Sequence, residues 1–340
     1  MTDPTIPVAN QPLNVFSGYD PNFLSAEHSV DLPNLSPEQE ADTLRNPEHP
    51  DGLWPHAHYT VALSASRRMA WYSAANLDAT QFQPVSRKQL TSYWRRERLV
   101  SKAQLTTGAW YVLSEKKLQR GHLTPADCME WGTDPADAIR NANNTFYFSN
   151  AVPQIQRLNG REWGMLERYI GQECTKAGNG RLCVHTGPML LPTDPAYIHQ
   201  VEGQSIAIPV LFWKVIWYLD PEGRLCRVGF IMSQSNLLKA SGLLQPEPAA
   251  RAARAPGPFE ELGNYKTYQV GVETLQEQTG MIFKQAERNP YPETRPRELM
   301  LKEIDVPVAF TPAPGQGVAE RSATAPRGKQ NLRIMVGLEL

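Results

Sequence analysis

Apolar and polar residues alternate in short runs through the middle of the chain, the pattern of half-buried β-strands. The runs 58–63 and 69–75 predict a hairpin that turns across 64–68. Further strands are predicted at 144–148, 182–185, 206–219 and 225–232, and the stretch 265–280 predicts a strand followed by a helix. We expect an α+β fold in which helices flank a central, mostly antiparallel sheet.

The most apolar run, 206–219, is interrupted by Pro209 and Lys214. It is also shorter than the ~20 apolar residues that a helix needs to cross a bilayer. We therefore predict that this run forms a central strand of the sheet, and we expect no membrane partner.

Prolines mark both ends of the chain. Nine of the 29 prolines fall in residues 1–55, four in 246–258 and seven between 285 and 327. Because proline lacks a backbone N–H, these stretches predict loops or extended arms. We predict three regions: a proline-rich N-terminal arm over 1–55 that packs on the core, a central domain over 56–284, and a proline-rich C-terminal extension over 285–340.

The composition is that of a globular protein: of 340 residues, 41% are apolar, which is enough for a sizeable core. The four cysteines are irregularly spaced and predict neither a disulfide framework nor a zinc site. They indicate a reducing compartment, and the first residues lack the basic and apolar regions of a secretory signal. We expect a cytoplasmic protein, or one exported by a route that is independent of a signal peptide.

Two short polar clusters carry the candidate chemistry. The first is the tripeptide 120–122, and the second is a string that contains Asn150, Gln154, Asn159, Trp163 and Glu167. Cutting a phosphodiester with one hard cation requires a neutral imidazole, an oxygen ligand for the metal and a cation near phosphorus. His122, Asn159 and Arg120 supply one of each. The pattern therefore predicts a one-metal nuclease site.

The second cluster has the spacing of one helix face, because Asn159, Trp163 and Glu167 follow one another at four-residue intervals. On such a helix the Cα atoms of Asn159 and Glu167 would lie roughly 12 Å apart, too far for a shared coordination sphere. We therefore expect Glu167 to act through a water molecule. The core-facing side of this helix would consist of Leu158, Leu166, Tyr169 and Ile170.

From Tyr59 to Phe283 the chain resembles the DNA/RNA non-specific endonucleases of the ββα-metal superfamily, which include endonuclease G. Residues 118–123 resemble the Asp-Arg-Gly-His motif of that family, and 144–150 resemble its strand leading to the metal-ligand helix. Residues 184–188 and 208–214 resemble two downstream structural signatures. The resemblance implies an active site built from a β-hairpin and the helix that follows it.

The resemblance also implies a role for each residue of the site. His122 would be the general base, and Asn159 would be the only direct protein ligand of a Mg²⁺ ion, with Mn²⁺ as a substitute. Glu167 would orient one of the waters that the ion retains, and Arg120 would contact phosphate. A net charge of −1 is unusual for a nucleic-acid binder, so the positive charge must be local.

The basic residues concentrate between Ser86 and Lys102, where six of them stand against one acid. Relatives carry a catalytic arginine in this region, and we choose Arg95 or Arg96 over Arg87. The other reading of this stretch is a solvated edge of the fold without a catalytic role.

Two departures from the family pattern keep an alternative function open. Gln119 replaces the acidic residue of the motif, and Gly171 stands where many relatives have an arginine, with Arg161 or Arg168 as candidate substitutes. The alternative is a catalytically silent nucleic-acid-binding or interaction protein that retains the nuclease fold.

Several other polar residues are assigned to the framework. The pair His56 and His58 could bind a metal from one strand face, but no third ligand is near in sequence, so a structural role is favoured. His185 lies in a buried-strand pattern and is also assigned a structural role. Asn150 is expected to bond backbone groups, with direct metal ligation as the alternative. Gln154 and Trp163 are expected to be framework residues.

The expected function is sugar-non-specific endonuclease activity on DNA and RNA, leaving 5′-phosphate and 3′-hydroxyl ends. Groups that address phosphate and metal alone have no means of reading bases, so we expect no base specificity. We expect a role as a bacterial defence or toxin effector. A second copy of the chain and an immunity or regulatory protein are the candidate protein partners.

Overall fold

The computed structural model describes residues 16–91, 93–97, 109–155, 166, 180–246, 259, 262, 266–307 and 329–340. Between 301 and 334 it describes the backbone alone. The strands in this part of the chain are β1 (Leu53–Pro55), β2 (Tyr59–Leu63), β3 (Ala70–Asp78), β4 (Leu118–His122), β5 (Ala151–Ile155), β6 (Arg181–Met189), β7 (Leu211–Leu219), β8 (Leu225–Ser233), β9 (Thr267–Val270), β10 (Arg297–Pro307) and β11 (Lys329–Val336).

Nine strands form one sheet in the order β1-β2-β3-β6-β7-β8-β9-β10-β11, and every neighbouring pair is antiparallel. Strand β7 has four strands on each side, so the prediction of a central strand is confirmed. It begins at Leu211 rather than Ile206, because Pro209 has no backbone N–H and the N–H of Val210 donates to Asp194. Strands β4 and β5 form a separate two-stranded sheet.

Five α-helices lie in the described residues: α1 (Pro37–Ala41), α2 (Ala109–Leu113), α3 (Pro135–Asn144), α4 (Ser235–Ser241) and α5 (Val272–Thr279). Local sequence explains where α3 begins, since the side chain of Asp134 accepts from the N–H of Asp137 and proline follows at the first helical position. Helix α5 ends at Gly280, which has a φ of 70°. The predicted α+β class with a mostly antiparallel sheet is confirmed. None of these helices is long and apolar enough to cross a membrane.

The strand predicted at 144–148 is wrong. Helix α3 continues to Asn144, and a 3-10 turn covers Phe148–Asn150 before β5 begins. Two hydrogen bonds fix the last residue of α3, Asn144, beside the start of β2. Its side chain accepts from the N–H of Ala57, and its carbonyl accepts from the hydroxyl of Tyr59. The apolar run here reflects burial of aromatic rings in the core and not an extended strand.

The sheet separates two packed layers. Alternation places Ser73 and Thr60 on opposite faces, because Ser73 pairs with Val61. The hydroxyl of Ser73 bonds Thr124 at 2.7 Å, just after the β4 strand, so one face carries the β4-β5 hairpin. On the other face Thr60 accepts from the N–H of Tyr19 at 2.9 Å.

The N-terminal residues that the structure describes contribute to the core, since Tyr19, Leu24 and Val30 are buried. At the other end, β10 pairs with β9 and β11 extends the sheet further. The domain boundaries after residues 55 and 284 remain a prediction.

His185 lies in the interior of the sheet with a fully buried side chain, between the rings of Tyr19 and Trp217. Neither ring nitrogen has a hydrogen-bond partner among the described residues. Burial lowers the pKa of His185 to about 3. Between pH ~3 and pH ~6.5, His185 is therefore neutral in the folded protein. In the unfolded chain the same side chain has a pKa of about 6.5 and is protonated in that range.

This difference predicts acid destabilisation. Below pH ~6.5 the unfolded state binds one more proton than the folded state, so His185 should lower the free energy of unfolding by about 1.4 kcal/mol per pH unit. This loss should continue down to the folded-state pKa. Urea unfolding at pH 7.5 and pH 5.0 should show a smaller pH difference for His185→Leu than for wild type. Equal pH differences for the two proteins would refute this linkage.

Candidate active site

The β4-β5 hairpin sets the relative position of Arg120 and His122. Antiparallel pairing places His122 opposite Ala151 and Arg120 opposite Pro153. Because side chains on a strand alternate between faces, these two residues, two positions apart, share one face. Gln234 secures the hairpin to the main sheet, since its side chain accepts from the N–H of Ile155 at 2.8 Å and donates to the Pro153 carbonyl at 3.2 Å.

Gly121 allows the two strands of the hairpin to pack as they do. It lies on the opposite face from His122, and a Cβ atom built there would overlap the side-chain amide of Gln154. Gln154 is itself buried, as expected of a framework residue. Any larger residue between Arg120 and His122 would therefore require the buried Gln154 side chain to move.

We predict that Gly121→Ala displaces the hairpin and lowers the free energy of unfolding by about 1 to 3 kcal/mol, as overpacking does. If His122 moves by ~1 Å, activity should fall by about 10²-fold. Gln154→Ala in the same protein removes the overlapping atoms and should restore much of both losses. Chemical denaturation and a cleavage assay on the single and double variants would test this. A double variant no better than Gly121→Ala would contradict the steric explanation.

His122 lies in an aromatic environment. Its ring centroid is 4.6 Å from that of Trp94 and 4.8 Å from that of Phe146, which meets it edge-on at 90°. The ring is partly exposed, but its Nε2 atom is buried and has no hydrogen-bond partner among the described residues. Burial, with a smaller contribution from the positive charge of Arg87, lowers the pKa of His122 to about 3. The imidazole is therefore neutral at physiological pH.

Arg120 is held against two aromatic rings. Its guanidinium lies 4.6 Å from the ring centroid of Tyr111 on α2 and 5.7 Å from that of Phe148. Stacking of this kind orients the plane of a guanidinium. The geometry agrees with the predicted phosphate contact, which remains a prediction.

The three candidate arginines of the basic segment, Arg87, Arg95 and Arg96, have different surroundings in the structure. Arg95 donates to the carbonyl of Asn143 at 3.1 Å and lies over the ring of Tyr147, so it is engaged with the end of α3. Arg96 is half-buried, and its Nε has no partner among the described residues. Arg87 is exposed on a 3-10 turn, and it is the arginine whose charge acts on His122. Sequence reasoning chose Arg95 or Arg96 over Arg87, and that choice stays a prediction; the electrostatic effect of Arg87 on His122 makes Arg87 a further candidate.

Asn150 acts on the backbone, as expected. Its side chain accepts from the N–H of Thr124 at 2.9 Å and donates to the carbonyls of Thr124 and Thr145. It is completely buried. These three bonds hold the end of β4 against the start of β5. They support the expected backbone-bonding role of Asn150 over the alternative of direct metal ligation.

Gln119, which replaces the acidic residue of the family motif, has a local structural role. Its side-chain amide donates to the carbonyl of Lys116 at 2.6 Å, and its own carbonyl accepts from the indole of Trp110. The residue thereby secures the turn between α2 and β4.

The metal-ligand segment lies outside the described residues, including Asn159, Trp163, Glu167 and Gly171. Leu166, which is described, is helical and fully buried, in agreement with its predicted place on a core-facing side. The described residues contain no group of three or more His, Cys, Asp or Glu side chains that could hold a metal.

The structure supports the structural role favoured for His56 and His58 and not the alternative of a metal site on one strand face. Both residues lie in the connection between β1 and β2, and His58 has a positive φ of 62°. His58 stacks on Trp131 with ring centroids 3.9 Å apart, whereas His56 stacks on Tyr59. The turn thus directs the two imidazoles to different neighbours, which supports the structural role favoured for both.

Comparisons with known proteins identify a family and several relatives of this chain. The model of the family described as DNA/RNA non-specific endonuclease matches residues 46–289. Human mitochondrial endonuclease G is 36% identical over 103 residues, 28% of this chain and 32% of that protein. The bovine mitochondrial endonuclease G is 32% identical over 127 residues, 36% of this chain and 40% of that protein.

A third relative is the uncharacterized protein y4fB of Sinorhizobium fredii (strain NBRC 101917 / NGR234), which is 26% identical over 282 residues. That match covers 80% of this chain and 40% of the relative, so none of the three matches spans more than 40% of the relative's length. Among solved structures, a crystal structure of the EndoG/EndoGI complex has a TM-score of 0.45 and 19% identity, covering 68% of this chain and 84% of that one.

The fold is a mostly antiparallel sheet with a separate two-stranded hairpin, and this hairpin carries Arg120 and His122. Because the family model matches well over half of the chain, the chain belongs to the DNA/RNA non-specific endonuclease family.

Proposed function

We propose that this chain is a metal-dependent endonuclease that hydrolyses phosphodiester bonds of both DNA and RNA. The observation that carries the proposal is the state of His122: a neutral imidazole whose buried Nε2 has no hydrogen-bond partner among the described residues, on the same hairpin face as Arg120. A neutral imidazole can accept a proton from water during attack on phosphorus. Because a general base acts best when its pKa is near the operating pH, the negative charge of the bound phosphate is proposed to raise the pKa of His122 above its low value in the free protein.

Arg120 and Arg87 are proposed to neutralise the charge that develops on the non-bridging oxygens. Arg120 is oriented by Tyr111 and Phe148, so little reorganisation is needed when the substrate binds. Arg87 acts on the same region, since its charge reaches His122. Arg96 is retained as a further candidate, and Arg95 is proposed to support the framework.

The donor types of the site suit Mg²⁺ held by Asn159, because this ion prefers oxygen ligands and often binds only one or two protein groups. When bound, it would supply Lewis-acid stabilisation of the charge on phosphate and on the leaving oxygen. Asn159 follows the last residue of β5, Ile155, by four positions. Four residues span up to about 14 Å, roughly the length of the hairpin between Leu118 and His122, so Asn159 can reach the base. Glu167 is proposed to support this site from the same segment.

The substrate range follows from the chemistry of these groups. His122, Arg120, Arg87 and Asn159 address water, phosphate and a metal, and none of these interactions depends on base identity. We propose cleavage without base specificity, with 5′-phosphate and 3′-hydroxyl ends.

A cleavage assay tests the proposal. Purified protein should degrade both supercoiled plasmid and a structureless RNA in Mg²⁺, and a chelator or His122→Ala should stop both reactions. Cleavage that survives both controls would indicate a contaminating nuclease. A well-folded protein inactive with Mg²⁺, Mn²⁺ and Co²⁺ would reject the proposal in favour of the catalytically silent alternative.

The two arginines of the basic segment should differ in their effects. Arg87→Ala should lower kcat/KM by about 10²-fold, in the range for loss of one transition-state donor, with little change in stability. Arg95→Ala should lower the melting temperature, because it removes the bond to the Asn143 carbonyl, while kcat changes less. Steady-state kinetics and thermal unfolding of both variants would test this distinction. The reverse ranking would restore Arg95 as the catalytic arginine.

A nuclease without base specificity would damage any nucleic acid in its own cell. We therefore propose that it serves as a defence or toxin effector whose activity is restrained by an immunity or regulatory protein. Identification of the neighbouring genes, followed by inhibition of cleavage by a purified neighbour product, would test this context. Light scattering would test whether the chain forms a homodimer.

A further inference from the structure

A buried carboxylate, that of Glu97, lies beside the site and has no part in the proposed chemistry. The carboxylate of Glu97 accepts a hydrogen bond from the hydroxyl of Ser149, and it lies 3.2 Å from Nε2 of His56. The Glu97 side chain is 10% exposed and that of His56 is 4% exposed. Burying a carboxylate costs free energy unless it is paired, so an unused cluster of this kind calls for an explanation.

The cluster connects the two segments that surround His122. Trp94, three residues before Glu97, covers the ring of His122. Arg95 pairs with the segment opposite it through two backbone bonds, one to the Phe146 carbonyl at 2.9 Å and one from the Phe148 N–H at 3.0 Å. Glu97 adds a side-chain attachment at the end of this short pairing.

The residue on the other side of the contact is equally well placed. Ser149 stands between Phe148, whose ring contacts Trp94 and supports Arg120, and Asn150, which holds the end of β4. A single carboxylate therefore joins the segment that covers the base to the turn that positions both Arg120 and His122.

The charge state of the cluster is consistent with a fixed contact. Burial by itself would raise the pKa of the Glu97 carboxyl, but His56, together with the Ser149 hydroxyl, outweighs it and holds that pKa below its ordinary value. His56 is fixed in turn by Tyr59, whose ring stacks on it with centroids 4.5 Å apart. Tyr59 bonds the end of α3, so the contact leads back to the core.

We infer that Glu97 is a positioning residue, which holds Trp94 over His122 by binding Ser149 and His56. The role rests on the proposed function of His122 as the base. Loss of Glu97 should let the 93–97 segment separate from the 146–149 segment, exposing the imidazole to solvent and disturbing its orientation toward the reacting water.

Chemical modification of histidines gives a test that does not require turnover. Diethyl pyrocarbonate acylates neutral, accessible imidazoles, and mass spectrometry of peptides reports each site separately. In wild type the exposed His199 should react fast, whereas His122 and the fully buried His185 should react slowly. In Glu97→Ala, we expect the modification rate of His122 to rise by about tenfold, the signature of local opening, while that of His185 stays unchanged.

Two further variants define the outcome. Glu97→Gln keeps an acceptor for Ser149 and should give an intermediate rise, and it is the variant to use if Glu97→Ala does not fold. Asp194→Asn disrupts another buried ion pair, with Arg67, which has no contact with Trp94 or Glu97 among those described, and should leave His122 protected. If His122 stays protected in the Glu97 variants, or if His122 and His185 become reactive together, the positioning role is refuted.

Kinetics separate this inference from the proposed function. Glu97→Ala should lower kcat more than it raises KM, and Glu97→Gln should recover part of kcat. If wild type cuts nucleic acid while its Glu97 variants show unchanged His122 reactivity, only the positioning role fails. If wild type is inactive while His122 reactivity rises in Glu97→Ala, the proposed function fails and the structural coupling between Glu97 and Trp94 stands.

Discussion

Replacing His122 by alanine is expected to lower kcat by about 10²- to 10⁴-fold, the usual contribution of a general base. The expectation rests on a neutral imidazole with a buried Nε2, in a hairpin that also carries Arg120. Initial rates on a fluorescent oligonucleotide, at saturating substrate and Mg²⁺, would measure the loss.

The control for this experiment must separate chemistry from folding. His122 contacts the rings of Trp94 and Phe146, so its truncation will also lower stability somewhat. Rates should therefore be measured well below the melting temperature of the variant, with His28→Ala as a matched control at a residue bonded to Glu287. Added imidazole should restore part of the activity of His122→Ala. A loss of less than about tenfold in the folded variant would mean that another base acts.

Asn159→Ala is expected to abolish cleavage while leaving the fold intact. By the proposed assignment this amide is the only protein oxygen on the metal, and alanine offers no replacement for it. Its assignment comes from the sequence motif and from the reach of the chain beyond Ile155, since Asn159 lies outside the described residues. Rates as a function of Mg²⁺ concentration, with far-ultraviolet circular dichroism to verify folding, would measure the effect.

Asn159→Asp provides the matched comparison, because it keeps an oxygen ligand of nearly the same shape and adds a charge. It should bind Mg²⁺ and retain measurable cleavage where Asn159→Ala has none. Near-normal activity of Asn159→Ala at ordinary Mg²⁺ concentrations would refute the ligand assignment.

Local patterns in the sequence were sufficient for much of the sheet. The hairpin of β2 and β3, the central place of β7 and the strand-helix unit of β9 and α5 follow from runs of apolar residues bounded by turns. The same reasoning failed at 144–148, where the apolar residues are buried aromatic residues that follow the end of α3. A short apolar run cannot by itself distinguish a strand from a buried turn, because burial demands apolar side chains in both.

The histidine pair shows the same limit. Spacing alone allowed His56 and His58 to share one face of a strand, but a positive φ at His58 turns the chain between β1 and β2. Backbone conformation of this kind depends on the contacts that the turn makes with the rest of the fold, here the stacking of His58 on Trp131.

The sequence by itself determined the family, the central strands and the two residues of the tripeptide that share a hairpin face, since strand alternation is a local property. Only the tertiary structure decided which groups surround His122: the rings of Trp94 and Phe146 pack against it, and the charge of Arg87 acts on it. It also decided that Glu97 would meet His56 and Ser149. The physical reason is that desolvation and Coulomb interaction depend on distance through space, which the order of residues along the chain does not specify.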